Sequence, residues 1–258
     1  MDPNTVSRLA RLNTGFYDRF AESFSRTRQA PWPGWARVLE TWRRRRSASP
    51  ADEAASILDL GCGNGRFGVW LGEMLDHPHD YTGVDSSTRL IEIVRSTLAH
   101  REAGRTELLV ADLVFDDLEE HLGDRSFDLI TLFGLLHHFP SFARRRALLR
   151  SLGQRLTPDG LMAVTFWQFA DHERFRRRFM DWEEYNRSAS ESIDPAELEP
   201  GDYLLRWGET ACRYCHFADP SEAARLVESL NLEVVESFRA DGAGGDLNLY
   251  YLLHKKSE

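Results

Sequence analysis

The feature that most constrains the fold is a short apolar segment that runs directly into a glycine-rich loop. Residues 57–68 read I-L-D-L-G-C-G-N-G-R-F-G, with Gly61, Gly63 and Gly65 at alternate positions. The apolar run predicts a buried strand, and the pattern that begins at Arg66 predicts a helix. Glycines between the two allow the backbone to turn sharply and to approach a ligand without an intervening side chain. The sequence therefore predicts a strand, loop and helix unit with a ligand site at the end of the strand.

Strand and helix patterns alternate along the chain after about residue 50. The apolar runs predict seven strands, at Ser56–Leu60, Tyr81–Val84, Glu107–Val110, Phe127–Leu132, Leu161–Trp167, Leu232–Phe238 and Leu247–His254. Amphipathic patterns between the early runs predict helices at Arg66–Leu75, Thr88–His100 and Phe142–Leu156. Because strands that alternate with helices form parallel sheets, the sequence predicts an α/β fold with a doubly wound, Rossmann-like sheet.

The last two predicted strands are joined differently from the others. The segment between them, D-G-A-G-G-D at residues 241–246, is too short for a crossover helix. The terminal strand should therefore run antiparallel to its neighbours. We expect a seven-stranded sheet of six parallel strands and one antiparallel terminal strand, which differs from an all-parallel dinucleotide-binding sheet.

Two segments lie outside this predicted core, which we expect to span residues 47–258. Residues 1–46 read as two helices separated by Q-A-P-W-P, with Pro33 suited to a first helical turn. This helical N-terminal cap is basic, with a charge of +6 against -15 for the remainder of the chain. Residues 171–209 are mostly polar, and we expect an insert there that forms a partly mobile lid over the carboxyl ends of the strands.

Acidic residues follow the predicted strands and indicate the kind of ligand. Asp59 lies beside the glycine loop, where a carboxylate would repel a pyrophosphate but suit the ammonium and sulfonium groups of S-adenosylmethionine. The G-x-G-x-x-G pattern in the same loop is by itself only a weak dinucleotide signal. Asp85, followed by Ser86, closes the second strand, where a carboxylate can accept from both ribose hydroxyls. Asp112 and Leu113 close the third, where an adenine would lie.

These blocks resemble the class I S-adenosylmethionine-dependent methyltransferase superfamily across residues 55–168, with all four sequence blocks in order. The resemblance implies an enzyme that transfers a methyl group and binds S-adenosyl-L-methionine as cofactor. It also implies which residues contact each part of that cofactor: Asp59, Gly61 and Gly63 the methionine end, Asp85 and Ser86 the ribose, Asp112 and Leu113 the adenine, and Phe133 the transferable methyl group.

A narrower resemblance covers almost the whole chain. It rests on F-Y-D-R-F-A-E-S-F-S-R-T-R-Q-A-P-W-P at 16–33, H-H-F at 137–139, R-R-R-A-L at 144–148, G-D-Y-L-L-R-W at 201–207 and R-Y-C-H-F at 213–217. These blocks are similar to the tRNA wobble-uridine carboxymethyl methyltransferases, which esterify 5-carboxymethyluridine. The resemblance implies tRNA as a partner and, in some relatives, a small activator protein. The acidic insert and a total of two lysines depart from what an RNA enzyme suggests.

Methylation of a carboxylate would need orienting groups more than a general base. A carboxylate with a solution pKa near ~4 is already ionised at neutral pH, and an arginine can hold it through two parallel hydrogen bonds. Arg28 and Arg213 are the preferred candidates because each lies beside aromatic residues in a distinctive block, and the other arginines considered are Arg26, Arg144, Arg145 and Arg146. His137 and His138 follow the fourth strand, where they face the substrate or serve as structural histidines.

The aromatic residues of the N-terminal cap have two interpretations. Phe16, Tyr17, Phe20, Phe24, Trp32 and Trp35 alternate with arginines and could stack on unpaired bases, but their spacing equally fits a helix packed on the core, which we favour for most of them. The basic run Arg43 to Arg46 suggests a contribution to RNA capture through phosphate contacts.

The cysteines indicate neither a disulfide framework nor a metal site. Three cysteines in a chain without a signal-peptide pattern or an apolar span of membrane length predict reduced thiols and a cytoplasmic protein with no membrane association. The C-x-x-C-H run at 212–216 matches c-type haem attachment, but two cysteines and one histidine fall short of a zinc set. We expect these cysteines to fill apolar space near the substrate mouth.

Two other functions remain open from the sequence. A small-molecule O- or N-methyltransferase would share the same cofactor blocks. A non-catalytic subunit that binds the cofactor would also retain them, although intact glycine and aspartate blocks favour an enzyme. Salt-dependent tRNA binding distinguishes a tRNA methyltransferase from a small-molecule methyltransferase, and methyl turnover distinguishes both from a non-catalytic subunit.

Overall fold

The computed structural model describes residues 1–46, 54–98 and 104–256. Its ten strands are β1 Ala55–Leu60, β2 His79–Asp85, β3 Thr106–Val110, β4 Phe127–Leu132, β5 Leu156–Trp167, β6 Phe179–Met180, β7 Asp202–Trp207, β8 Ala211–His216, β9 Leu232–Ala240 and β10 Asn248–Lys255. Its helices are α1 Pro3–Arg26, α2 Gly34–Arg46, α3 Arg66–Met74, α4 Thr88–Leu98, α5 Leu118–Leu122, α6 Phe142–Gln154, α7 Glu173–Arg176, α8 Trp182–Asn186 and α9 Pro220–Glu228.

Seven strands form the central sheet in the order β3-β2-β1-β4-β5-β10-β9. The pairings among β1 to β5 are all parallel, whereas β10 pairs antiparallel with both β5 and β9. Strand β9 therefore runs in the same direction as the first five. The predicted fold class, with six parallel strands and an antiparallel terminal strand, is confirmed.

The fifth strand begins earlier than the sequence pattern predicts. The predicted strand begins at Leu161, after T-P-D-G at residues 157–160, yet Leu156 already pairs with Phe127, the first residue of β4. A register shift between Phe127 and Leu129 accommodates the irregular segment, and Thr157 Oγ1 donates to Asp128 Oδ1 at 2.9 Å. Helix α6 consequently ends at Gln154 instead of continuing to Leu156. The end of the predicted second helix, at residues 99–100, lies outside the described residues.

Helices cover both faces of the central sheet, so inner strands such as β1 and β4 are buried on both sides. Ile57 packs in a cluster with Trp35 and Trp42 of α2, whereas the next residue, Leu58, packs in a second cluster with Leu149 of α6. Successive side chains of a strand point to opposite faces, which explains why two neighbouring residues enter different clusters. The carboxyl ends of the parallel strands are left open for a site.

Helix α1 packs outside both of these clusters. Asp2 caps its start by accepting from the backbone N–H groups of Asn4 and Thr5, which satisfies donors that a helix start otherwise leaves unpaired. Leu9 is completely buried against Tyr214 of β8 and Leu204 of β7. Helix α1 is thereby held against the carboxyl-end side of the central sheet by β7 and β8.

Residues 171–209 are part of a second, three-stranded antiparallel sheet in the order β6-β7-β8. This sheet extends to His216, beyond the end that we expected for the insert. Its strands escaped prediction because they are short and carry polar residues at buried positions, such as Asp202 in β7 and Arg213 in β8. The domain limits at residues 46 and 47 stay a prediction, since residues 47–53 lie outside the described ranges.

A buried ionic network fastens the small sheet to the central domain. His216 lies between two carboxylates, with Nδ1 at 2.7 Å from Asp202 Oδ1 and Nε2 at 3.0 Å from both Glu222 oxygens. Arg145 contacts Glu222 at 2.8 Å and Glu199 at 2.7 Å. The network joins β7, β8, α6 and α9, so it fixes the position of the small sheet.

The basic run Arg43 to Arg46 lies at the edge of the sheet opposite the carboxyl ends of the parallel strands. Arg43 donates to the Met74 carbonyl, Arg45 contacts His254 near the end of β10, and Arg46 pairs with Asp128 near the start of β4. This position is remote from the site described below, and these contacts do not favour the hypothesis that the run captures the substrate RNA. None of the helices in the described residues combines the length and apolar composition of a bilayer span.

Candidate active site

The glycine loop between β1 and α3 adopts a conformation that other residues rarely adopt. Gly61, Gly63 and Gly65 have φ values of 72°, 58° and 75°. A Cβ at Gly61 would lie 2.8 Å from the Leu135 side chain, so the loop is also closely packed. A Cβ at Gly63 would instead approach no atom nearer than 4.0 Å, since this glycine faces open space. The loop therefore has room for a ligand to contact its backbone, as the cofactor requires.

Asp59 lies near the end of β1, next to this loop, and is almost completely buried. Its two carboxylate oxygens accept from the Tyr81 hydroxyl at 2.7 Å and from the Thr131 hydroxyl at 2.8 Å. Burial raises the pKa of Asp59 to about 6, although the two hydrogen bonds act in the opposite direction. A positively charged ligand would favour its ionised form.

Asp85 connects the glycine loop to the end of β2. Its oxygens accept from the backbone N–H groups of Gly63 and Ser87, each at 2.9 Å. Burial raises the pKa of Asp85 despite these bonds. Each oxygen retains capacity for a further donor, because a carboxylate offers about four acceptor positions. Asp112, after β3, similarly accepts from the N–H of Val114 at 3.0 Å.

A cavity of about 540 Å³ opens at the carboxyl ends of the parallel strands. Twelve residues that the sequence analysis preferred for the site line this cavity: Arg28, Asp59, Gly61, Gly63, Asp85, Ser86, Asp112, Leu113, Phe133, His137, His138 and Arg213. The chain brings them together from α1, the ends of four strands and the small sheet. Their individual roles stay predictions.

The end of the cavity that faces α1 contains a hydrogen-bonded set of three side chains. The Tyr17 hydroxyl accepts from Arg213 Nη1 at 2.8 Å and lies 2.7 Å from His138 Nε2. His138 Nδ1 lies 3.1 Å from the Asn13 amide nitrogen. Burial and Arg213 lower the pKa of His138 to about 3, so its ring is neutral at physiological pH.

His137 lies beside this set, with its ring centroid 4.0 Å from that of His138. Its Nδ1 is buried and has no hydrogen-bond partner among the described residues. Burial, His138 and Arg213 hold the pKa of His137 well below its usual range. Both histidines are therefore neutral, and neither contributes charge to the site.

Arginines give the cavity a positive end. Arg213 is buried, and its guanidinium lies within 6 Å of four aromatic rings, those of Phe16, Tyr17, Trp167 and Trp207. Arg28 stacks over Phe24 at 4.7 Å. Burial and the neighbouring Arg213 lower the pKa of Arg28. The positive end therefore consists of guanidinium groups held between aromatic rings.

No aspartate or glutamate of the described residues pairs with the guanidinium groups that line this end, those of Arg28, Arg174, Arg178 and Arg213. Arg178 donates only to the backbone carbonyl of Arg206 among the described residues. Arg213 is buried, and a buried charge without a counter-charge is costly, so this end of the cavity is suited to an anion. The acidic end near the glycine loop has the opposite sign.

Several sequence candidates do not reach the cavity. Arg145 is buried in the ionic network, Arg144 donates to the Val114 carbonyl, and Arg26 is exposed near Glu22. Arg146 is exposed on α6. Three consecutive arginines on a helix point in different directions around its axis. Sequence spacing alone therefore could not show which of them, if any, faces the site.

The aromatic residues of the N-terminal cap divide between core and cavity. Trp35 is in the core, as favoured, although it also lines the cavity. Tyr17, Phe24 and Trp32 line the cavity as well, and Trp32 also packs against the core cluster of Trp35. Further lining residues that no local pattern singled out are Asn13, Trp167, Arg174, Arg178 and Trp207, which come from segments distant in the chain.

The two cysteines of the C-x-x-C-H run face opposite sides of β8. Cys212 packs with Tyr214 and Leu9, whereas Cys215 packs with Phe169 and Leu205. Residues separated by three positions in a strand point to opposite faces, so these two thiols cannot hold one haem or metal between them. Both are free thiols. Their packing is apolar, and Cys215 lies directly behind the positive end of the cavity, beside Arg213.

Comparison with known proteins gives the same class as the geometry. The profile of a methyltransferase-domain family matches residues 34–237, and the chain belongs to this family. The fold and the family define an enzyme, a methyltransferase that depends on S-adenosylmethionine.

Among curated relatives, the tRNA (carboxymethyluridine(34)-5-O)-methyltransferase of Arabidopsis thaliana is 33% identical over 151 residues, which is 58% of this chain and 31% of that protein. The mouse protein tRNA (carboxymethyluridine(34)-5-O)-methyltransferase ALKBH8 is 30% identical over 151 residues, 58% of this chain and 19% of its own length. The chain thus spans less than a third of either relative.

Solved structures share the fold at low sequence identity. A S-adenosylmethionine-dependent methyltransferase from Clostridium acetobutylicum aligns with a TM-score of 0.60 and 12% identity, over 94% of this chain and 97% of that one. The N-methyltransferase NodS from Bradyrhizobium japonicum, solved with S-adenosyl-L-homocysteine, aligns with a TM-score of 0.56 and 16% identity, over 98% and 100% of the two chains.

Proposed function

We propose that this enzyme methylates the carboxylate of 5-carboxymethyluridine at the wobble position of tRNA. The observation that carries the proposal is the positive end of the cavity, where Arg28, Arg174, Arg178 and Arg213 have no acidic partner among the described residues. An acceptor that brings its own negative charge would neutralise the charge of these guanidinium groups. The plant and mouse relatives, whose names specify carboxymethyluridine, support the same acceptor.

The acidic end of the cavity is assigned to the cofactor. Asp59 and the backbone of Gly61 and Gly63 would hold the methionine end, with Asp59 facing the positive groups. Asp85 and Ser86 would bind the ribose hydroxyls.

The adenine and the methyl group would lie at the remaining strand ends. Asp112 and Leu113 would border the adenine, and Phe133 would border the transferable methyl group. When bound, S-adenosylmethionine supplies an electrophilic methyl group. The protein positions the two reactants and keeps them apart from other nucleophiles.

A carboxylate acceptor matches the chemistry that these side chains can perform. Its pKa near ~4 leaves it ionised at neutral pH, so no residue has to remove a proton. His137 is buried, His138 is half-buried and both are neutral, which suits positioning roles more than proton transfer. Arg28 and Arg213 would hold the acceptor carboxylate, since guanidinium groups can form two parallel hydrogen bonds with it. Most of the rate would then come from orientation.

The aromatic side chains beside the arginines fit a planar acceptor base. Phe24, Trp167 and Trp207 line the same end of the cavity. Aromatic rings stack on unpaired bases, and such stacking is worth roughly 1 to 3 kcal/mol per base. A wobble nucleotide lies in a single-stranded loop, so its base can enter a cavity without disruption of a duplex.

The proposal is tested by methyl transfer with labelled cofactor. The acceptors are tRNA that carries 5-carboxymethyluridine, the same tRNA with unmodified uridine, and the free nucleoside 5-carboxymethyluridine, each with and without a small activator protein from a relative. Label in the methyl ester of the modified tRNA alone is the expected result. Transfer to small carboxylic acids, hydroxyls or amines but not to the tRNA would overturn the proposal in favour of a small-molecule methyltransferase.

A further inference from the structure

The hydroxyl of Tyr17 makes two hydrogen bonds with fixed neighbours. Arg213 Nη1 can only donate, and it lies 2.8 Å from the Tyr17 oxygen. His138 Nε2 lies 2.7 Å from the same oxygen, and the direction of this bond depends on which ring nitrogen carries the hydrogen. The tautomer of His138 therefore determines where the Tyr17 hydroxyl hydrogen points.

Asn13 favours one tautomer of His138. Its side-chain oxygen accepts the backbone N–H of Tyr214 at 2.9 Å, which turns its amide nitrogen toward His138. That nitrogen lies 3.1 Å from His138 Nδ1 and can only donate, so Nδ1 must accept. The Tyr214 carbonyl lies 3.3 Å from the same Nδ1, but a hydrogen directed at it would face the Asn13 amide hydrogens. The hydrogen of the neutral ring therefore resides on Nε2.

With the hydrogen on Nε2, His138 donates to Tyr17, as Arg213 does. Both acceptor positions of the hydroxyl oxygen are then occupied. The hydroxyl hydrogen has no acceptor among the described residues, and Tyr17 lines the cavity at its positive end. A donor that no protein group satisfies at this position is available to an acceptor atom of the ligand.

We propose that Tyr17 donates its hydroxyl hydrogen to an oxygen of the methyl acceptor, so that Tyr17 and the arginines form a set of donors that selects an anionic oxygen acceptor. This proposal rests on the proposed carboxylate acceptor. His138 is a positioning residue in this arrangement, because it acts by directing the Tyr17 hydroxyl. An ammonium offers no lone pair to this donor, and a neutral amine brings no negative charge to the arginines, so both would be disfavoured.

The protonation states of both residues agree with this arrangement. Burial raises the pKa of Tyr17 to about 12, although Arg213 acts in the opposite direction, so the phenol keeps its hydrogen at physiological pH. The His138 ring remains neutral and carries a single N–H. The donor therefore persists across the pH range in which the enzyme can be assayed.

The first test reads the His138 tautomer without any acceptor. In nitrogen-15 NMR of the full chain, assigned with a His138→Gln variant, we expect the Nε2 signal of His138 to be that of a protonated nitrogen and the Nδ1 signal that of an unprotonated one. The opposite pattern would overturn the proposal. This result does not depend on whether 5-carboxymethyluridine is the substrate, so it separates failure of this inference from failure of the proposed function.

The second test compares kinetic constants of Tyr17→Phe with those of the parent. A donor to an anion that becomes neutral during methyl transfer contributes mainly to binding, so KM should rise on the order of ten- to a hundredfold with kcat close to the parental value. Tyr185→Phe is the matched control, since its ring lies outside the cavity lining. His138→Gln, which can keep an N–H donor, should affect KM less than His138→Phe. Parental KM in Tyr17→Phe would overturn the proposal.

Discussion

The Tyr81 hydroxyl donates to Asp59 Oδ2 at 2.7 Å from a position in the neighbouring strand. The Thr131 hydroxyl holds the other oxygen of Asp59 from the strand on the opposite side. The carboxylate is thereby fixed in orientation by both neighbours of β1. Burial nevertheless raises its pKa to about 6, which is close enough to neutrality to matter for binding.

Cofactor affinity should fall as the pH decreases through about 6. Protonation removes the negative charge of Asp59, and with it the attraction to the ammonium and sulfonium groups of the cofactor. Calorimetry of S-adenosylmethionine binding between about pH 5 and 8 measures the effect in the parent and in Asp59→Asn. The variant should bind weakly and show no transition near pH 6. The same pH dependence in both proteins would contradict the role of Asp59.

Replacement of Asp85 by alanine should weaken cofactor binding at least about tenfold, because charge-assisted hydrogen bonds to the ribose contribute roughly 1.5 to 3 kcal/mol. The loss also frees the N–H groups of Gly63 and Ser87, which Asp85 now holds. Calorimetry measures the affinity, and thermal unfolding verifies that the variant is folded. Unchanged affinity in Asp85→Ala, or preference for NAD over S-adenosylmethionine, would refute the assignment.

Arg28→Lys and Arg213→Lys should each reduce kcat/KM for the modified tRNA by about ten- to a hundredfold. Lysine keeps the charge but cannot form the paired hydrogen bonds of a guanidinium or stack as flatly on aromatic rings. Cofactor affinity should remain parental. Arg26→Lys is the matched control, since Arg26 lies two positions from Arg28 but is exposed and outside the cavity lining. Full activity in both cavity variants would remove the arginines from substrate binding.

The ionic network around His216 predicts that stability depends on pH. Burial lowers the pKa of His216, but hydrogen bonds to Asp202 and Glu222 outweigh it and raise the pKa overall. The pKa of Glu222 is lowered, since contact with His216 outweighs burial. Because the pKa of His216 is raised in the folded state, its contribution to stability is complete below the unfolded pKa of ~6.5 and is lost as the pH rises through the folded pKa. Glu222, whose pKa is lowered, contributes to stability above its unfolded pKa of ~4.3.

The free energy of unfolding should therefore decrease as the pH rises above about 6.5. Urea unfolding at a series of pH values measures this decrease. His216→Gln should be less stable by about 1 to 3 kcal/mol, because buried carboxylate oxygens lose a donor, and it should lose most of the pH dependence. If the parent were equally stable at pH values on both sides of ~6.5, the charged state of His216 would be excluded.

Binding of tRNA should depend on Arg174 and not on Arg43. Arg174 is exposed and lines the cavity, whereas Arg43 lies at the opposite edge of the sheet. Arg174→Glu should weaken binding and reduce the slope of log affinity against log salt by about one for each lost phosphate contact. Arg43→Glu is the control with the same charge change. Equal slopes for Arg174→Glu and the parent would mean that the phosphate contacts lie elsewhere.

The central sheet and the cofactor end of the cavity were predictable because local patterns specify them. Gly61, Gly63 and Asp85 lie within short blocks whose spacing follows directly from strand and loop geometry. The network of His216, Asp202 and Glu222 was not predictable, because its members come from different elements and each resembles an ordinary surface residue in the sequence.

The direction of side chains at the positive end of the cavity was also not predictable from the sequence. Tyr17 fits a helix packed on the core as well as it fits a cavity wall, and the spacing of aromatic residues in α1 does not distinguish the two. The distinction comes from Arg213 and His138, which approach from β8 and from the loop after β4. Only the folded chain brings these three together.

Helix α1 precedes residue 34, at which the match to the methyltransferase-domain family begins. Tyr17 and Arg28 are thus contributed by a portion of the chain that the shared domain does not include, while the glycine loop and Asp85 lie within it. The proposed roles of Tyr17 and Arg28 would make the enzyme modular, with methyl donation supplied by the common domain and acceptor choice partly encoded in a separate leading segment. Exchange of that segment between relatives is a direct route to altered acceptor selectivity with the methyl-donor machinery retained.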